Sequence, residues 1–112
     1  MQDPCTPHAH GAAPEALPDL AACRAAIDRI DDMLIPLLAE RQAIVGRVAV
    51  IKAAEGISAA APSRAAAVLA GVRERAEAAG LDTGLAETIW RDMIDHFVAA
   101  EQRTLGRGGR DA

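Results

Sequence analysis

Aromatic side chains are nearly missing from this chain: Trp90 and Phe97 are the only two, and there is no tyrosine. Alanine supplies much of the hydrophobic half of the sequence, so a single copy can build only a thin core. No apolar run is long enough to cross a membrane as a helix. Excess positive charge is lacking too. A formal net charge of -4 argues against a nucleic-acid partner, which needs a basic face. Cys5 and Cys23 are too few for a disulfide framework or a zinc site, and no metal is expected. The first residues have neither a basic start nor a hydrophobic stretch, so a secretory signal is not expected and the location is read as cytoplasmic. Strand-like alternation of apolar and polar residues is absent throughout, and the fold class is therefore all-α.

What is present divides into two tails and one small domain. Residues 1–18 are rich in Pro, Ala and His without periodicity and read as a disordered tail. The His8 and His10 pair within it is a weak metal motif that more often means nothing. Residues 106–112, "GRGGRDA", read as a second frayed end. Residues 19–105 carry three helical patterns. The first starts after Asp19 as N-cap and stops at Gly56. At about 1.5 Å per residue it is on the order of 50 Å long, too long for two shorter helices of the same chain to cover, so a partner subunit is implied. Pro36 falls inside it and is expected to kink rather than break the helix, since the apolar seam keeps its phase on both sides. The second pattern begins at Pro62 or Ser63 and ends at Gly80, with Ala65, Val68, Leu69, Val72, Ala76 and Ala79 facing inward. The third, capped by Asp82 or Thr83, carries the stripe Leu85, Ile89, Trp90, Met93, Ile94, Phe97, Val98, Glu101 and Leu105.

The seam of the first helix is interrupted by charge. Steps of four and three from Leu20 visit Arg24, Ile27, Asp31, Leu34, Leu38, Arg41, Val45, Val48 and Lys52. Any one Arg or Lys on such a stripe is more often a snorkelling side chain with its head in water. Three on one stripe are harder to dismiss, because buried charge costs several kcal/mol unless paired, and the seams offer few carboxylates. A small dianion satisfies two guanidinium forks, with Lys adding a point charge. No Ser-His-Asp or Cys-His set, glycine-rich phosphate loop or metal cluster accompanies these cations. His96, beside the third stripe, reads as a surface or packing residue. The chemistry indicated is one that needs only binding, shape and charge stabilisation, with no cofactor.

The stretches "RAAIDRIDDMLIPLLAERQAIVGRVAVIKA", "APSRAAAVLAGVRERAEAAGLD" and "IWRDMIDHFVAAEQ" resemble the all-helical class of chorismate mutases and the related isochorismate pyruvate lyases. The resemblance spans roughly residues 20–104. It implies a three-helix chain with a long first helix, paired as an intertwined homodimer whose sites draw on both subunits. It implies that Arg24, lent by the other subunit, and Arg41, within the subunit, bind the two substrate carboxylates. Lys52 corresponds to the lysine at the ether oxygen of the breaking bond, and Arg64 to an arginine near the start of the second helix. The second donor to the ether oxygen, a Gln or a Glu in the family, falls on Glu101. Gln102 lies about 100° further round the helix and needs a local shift to replace it.

The implied reaction is the rearrangement of chorismate to prephenate, helped by holding the compact conformer and aiming positive charge and donors at the ether oxygen. A carboxyl group donates there only when protonated, so activity is expected to fall as pH rises and Glu101 loses its proton. Many mutases carry an Asp in the loop and a Glu directly after the second-helix arginine; this chain has Ala61 and Ala65 instead. Lyase-type relatives also lack those acids, which keeps elimination of pyruvate from isochorismate as the alternative activity. A third reading, of another class, is a non-catalytic helical dimerisation module, in which Arg24, Arg41 and Lys52 are replaceable without functional loss.

Overall fold

A computed structural model describes residues 13–106 and 108–111. Cys5, His8 and His10, and most of the expected N-terminal tail, lie outside the described residues. A short 3-10 turn, Pro14–Ala16, precedes three helices: α1 (Leu20–Glu55), α2 (Pro62–Ala79) and α3 (Thr83–Leu105). The described residues contain no strand, only one isolated bridge between Ile57 and Arg110. The all-α reading and the three helix boundaries stand within a residue. The chain divides into two compact units, Met1–Ala43 and Ile44–Ala112.

In the first unit, Asp19 Oδ1 accepts the Ala22 N–H at 2.8 Å, the cap expected from the sequence. The helix passes Pro36 without a break. Proline removes one backbone donor there, and the helical bonds on either side carry the chain through. No side chain of α1 is buried in the single chain. Ile27, Leu34 and Leu37 are 56%, 48% and 60% exposed, although they occupy the apolar stripe. The single chain thus leaves this stripe of large apolar side chains open along the helix.

The second unit holds the last turns of α1, the loop that follows, and the α2–α3 pair. Gly56 leaves the helix at φ 68, in the left-handed region that glycine enters without strain, and the Ile57 N–H returns to Lys52 O at 3.0 Å. The core forms where α2 meets α3: Val72, Ala76 and Ala86 are buried, with Val68 and Trp90 packed against them. Arg73 Nη1 donates to Glu87 Oε1 at 2.6 Å beside it, an exposed contact worth little by itself. The turn between the helices follows its sequence signals. The Leu81 N–H bonds Ala76 O at 2.8 Å behind Gly80, and Asp82 Oδ1 accepts from the Gly84 and Leu85 N–H groups. Most of the third stripe is at least half-buried, but Leu85 and Ile89 near its start are exposed.

The helix α2 begins at Pro62, one of the two starts the sequence offers, and its N-cap position, Ala61, lies in the left-handed region at φ 35 with no side-chain cap of its own. One feature departs from the sequence reading. Where a frayed end is expected over 106–112, the described residues 108–111 run beside the loop after α1. Arg110 O accepts the Ser58 N–H at 2.6 Å, and its N–H donates to Gly56 O at 3.0 Å. Composition signals disorder in that glycine-rich end, yet its backbone groups find partners that a composition argument cannot see.

Candidate active site

The polar centre of the second unit is an ion pair. Lys52 Nζ lies 3.1 Å from Glu101 Oε2, and the two side chains are 15% and 9% exposed. Lys52 sits one turn before the end of α1, and Glu101 one turn before the end of α3. Helical spacing puts Glu101 on the buried stripe four residues after Phe97, so the carboxyl group points inward where a Leu is usual. It is the one buried charged residue among those described. The Lys52 ammonium also donates to Ala59 O at 3.1 Å. Ala59 is itself buried, in the loop between α1 and α2.

Among the described residues, this arrangement leaves the ammonium one unspent donor. A lysine carries three N–H bonds, and two are directed at Glu101 and Ala59. Their partners hold the side chain in place, so the third hydrogen has a fixed direction. The group can therefore present a charged donor to a bound oxygen without reorganising. Its counter-charge comes from within the chain, from Glu101.

The other expected site residues are placed as follows. Arg24 is exposed and Arg41 half-buried, both on the part of α1 in the first unit, and Asp31 on the same stripe is exposed. Arg64 stands exposed in the first turn of α2, in the second unit. Gln102 is half-buried, and no hydrogen bond joins it to Lys52 among those described. Geometry thus favours Glu101 over Gln102 as the residue beside the lysine. Ala61 is buried and Ala65 half-buried, so the two positions that lack acids are apolar contacts here. His96 is exposed and meets the Phe97 ring edge-on at 5.1 Å, as a packing residue does. Among the described residues no group of His, Cys, Asp or Glu could hold a metal, and no helix is long and apolar enough to cross a membrane. The sequence reading missed the Ala59 carbonyl, because a backbone acceptor leaves no residue-type signal.

The model of chorismate mutase type II matches residues 23–102, a span that contains both members of the buried pair. The chain belongs to the chorismate mutase type II family. Among curated relatives, the T-protein of Enterobacter agglomerans is 35% identical over 83 residues, covering 74% of this chain and 22% of that protein. The T-protein of Haemophilus influenzae is 37% identical over 89 residues, or 80% of this chain and 23% of that one. The isochorismate pyruvate lyase of Pseudomonas aeruginosa is 37% identical over 99 residues, 88% of this chain and 96% of the lyase. The chain thus spans less than a quarter of the T-proteins' length but nearly all of the lyase's. No solved structure matches it significantly.

Proposed function

We propose that this chain is a chorismate mutase, converting chorismate to prephenate by a pericyclic shift with no covalent intermediate. One carbon–oxygen bond breaks and one carbon–carbon bond forms as electrons move round a six-membered ring, so no proton or co-reactant is consumed. Negative charge grows on the departing ether oxygen. The observation that carries the reading is the Lys52–Glu101 pair, a charged donor fixed in a largely enclosed setting with one N–H still free. Lys52 is assigned to the ether oxygen. Glu101, in its protonated form, is the second donor there. Arg24 and Arg41 are assigned to the two substrate carboxylates, where planar forks bind bidentately. Arg64 is assigned to the substrate's periphery. The active form is read as a homodimer in which Arg24 serves the partner's site, and the open apolar face of α1 supports that assembly.

Isochorismate pyruvate lyase activity is the second reading. It is supported by the same-length relative of that name and by the apolar character of Ala61 and Ala65, where an acid would otherwise select the ring hydroxyl. Both reactions use the same cations, so the substrate decides. Purified chain is incubated with chorismate and isochorismate separately, and prephenate, or salicylate plus pyruvate, is followed. Prephenate from chorismate supports the mutase. Salicylate and pyruvate from isochorismate alone replaces it by the lyase, and no product from either leaves the non-catalytic helical module.

A further inference from the structure

The end of the chain meets the second unit at the loop that supplies Ala59. Arg110 pairs with residues 56 and 58 through two backbone hydrogen bonds, of 3.0 and 2.6 Å. One residue on, the Asp111 carboxylate accepts the Ser63 N–H at 3.3 Å and the Ser63 hydroxyl at 2.5 Å. Gly109 makes the approach possible. Its φ is +112, and a Cβ there would stand 2.7 Å from Ser58 N and 2.8 Å from the Ile57 carbonyl carbon. Only glycine lets two backbones come so near in that conformation. A Cβ on Gly108, next to it, would meet nothing within 4 Å.

What these contacts bracket is the polar centre. Ser58 and Ser63 flank Ala59, whose carbonyl holds Lys52, and Arg64 follows Ser63 directly. The helix α2 has no cap of its own at Ala61. Asp, Asn, Ser and Thr are the residues that cap helices, by accepting a first-turn N–H. Asp111 delivers such an acceptor from the far end of the chain, to the end of α2 where the helix dipole favours negative charge.

We propose that residues 109–111 form a strap that positions the active site, with Asp111 as a positioning residue that acts through Ser63, Ala59 and Lys52. By pinning both sides of the loop, the strap keeps the Ala59 carbonyl on the ammonium and so fixes the direction of its remaining N–H. It also sets the first turn of α2, from which Arg64 projects. The link to turnover rests on the function proposed above, whereas the docking and its effect on Lys52 do not.

The test compares Asp111→Ala and Gly109→Ala with Asp111→Asn and Gly108→Ala in the full chain, circular dichroism confirming an intact helical fold. Three quantities are read: amide hydrogen exchange at Ser58 and Ser63, the NMR resonance of the Lys52 side chain, and kcat and KM with chorismate and isochorismate. The first pair should exchange about fivefold to tenfold faster at both amides, as loss of a helix cap typically gives. Their Lys52 resonance should shift, and kcat should fall by a similar factor with KM less affected. Asp111→Asn should behave as wild type, because Asn caps as well as Asp, and so should Gly108→Ala. Unchanged exchange overturns the docking. Faster exchange with an unmoved Lys52 resonance overturns the positioning role and leaves a stabilising clasp. If the wild-type chain turns over neither substrate, the proposed function fails, while exchange and the Lys52 resonance still decide the strap.

Discussion

Lys52 Nζ stands 3.1 Å from Glu101 Oε2, joining the end of α1 to the end of α3 inside the second unit. Two enclosed charges that neutralise each other are sensitive to the loss of either one. Lys52→Ala leaves the carboxylate without its cation, and denaturant titration should show a loss of about 3–5 kcal/mol. The double variant Lys52→Met with Glu101→Leu should recover most of that stability, since similar apolar volume often replaces a buried pair at no cost. Neither variant should turn over substrate. A Lys52→Ala chain as stable as wild type would mean that water already satisfies the carboxylate.

Glu101 has a second role only as a donor, and that role needs its proton. A carboxyl group donates only while it carries a proton, so the role is tested by a variant that donates without one. Glu101→Gln keeps the shape and supplies an amide N–H at every pH. Its profile of kcat/KM against pH should be the flatter of the two. Identical profiles for the two proteins would remove Glu101 from the reaction.

Arg41 is half-buried and Arg24 exposed on a helix that buries no side chain in the single chain, so their replacement should hardly alter folding. Under the proposed function, Arg41→Ala loses a bidentate contact to a substrate carboxylate, and kcat/KM should drop by roughly 10²-fold. Arg41→Lys should restore only part of it, because an ammonium keeps the charge without the fork. Steady-state kinetics check both. Full activity in Arg41→Ala would favour the helical module over the enzyme.

The helices were legible because their punctuation is local: Asp19, Gly56, Gly80 and Asp82 each act on backbone groups within a few residues. The Glu101 position was legible from helical phase alone, and its burial follows that phase. What escaped the sequence reading depends on contacts distant along the chain or on small size. Ala86 is fully buried, but an alanine outside the stripe of large residues carries no hydropathy signal, and its value lies in letting α2 and α3 approach. The Ala59 carbonyl and the Asp111 cap depend on where the loop and the chain end come to rest. No spacing rule reports that.

The open stripe of α1 and the assignment of Arg24 to a partner's site make one prediction together. If Leu34 and Leu38 lie in a subunit interface, Leu34→Glu with Leu38→Glu should convert the chain to a monomer by sedimentation, since paired burial of charge at an apolar contact is strongly unfavourable. Dissociation alone does not show that subunits share a site, but complementation does. Arg24→Ala and Arg41→Ala homodimers each lose most of their activity on the proposed reading. When their subunits exchange, one site of every mixed dimer takes Arg41 from the first variant and Arg24 from the second, and is intact. The other site lacks both. With half the dimers mixed, activity should rise to about a quarter of wild type, as two-fold symmetry dictates. Were Arg24 to serve its own subunit, every site in the mixture would keep one lesion and activity would stay at the level of the separate variants.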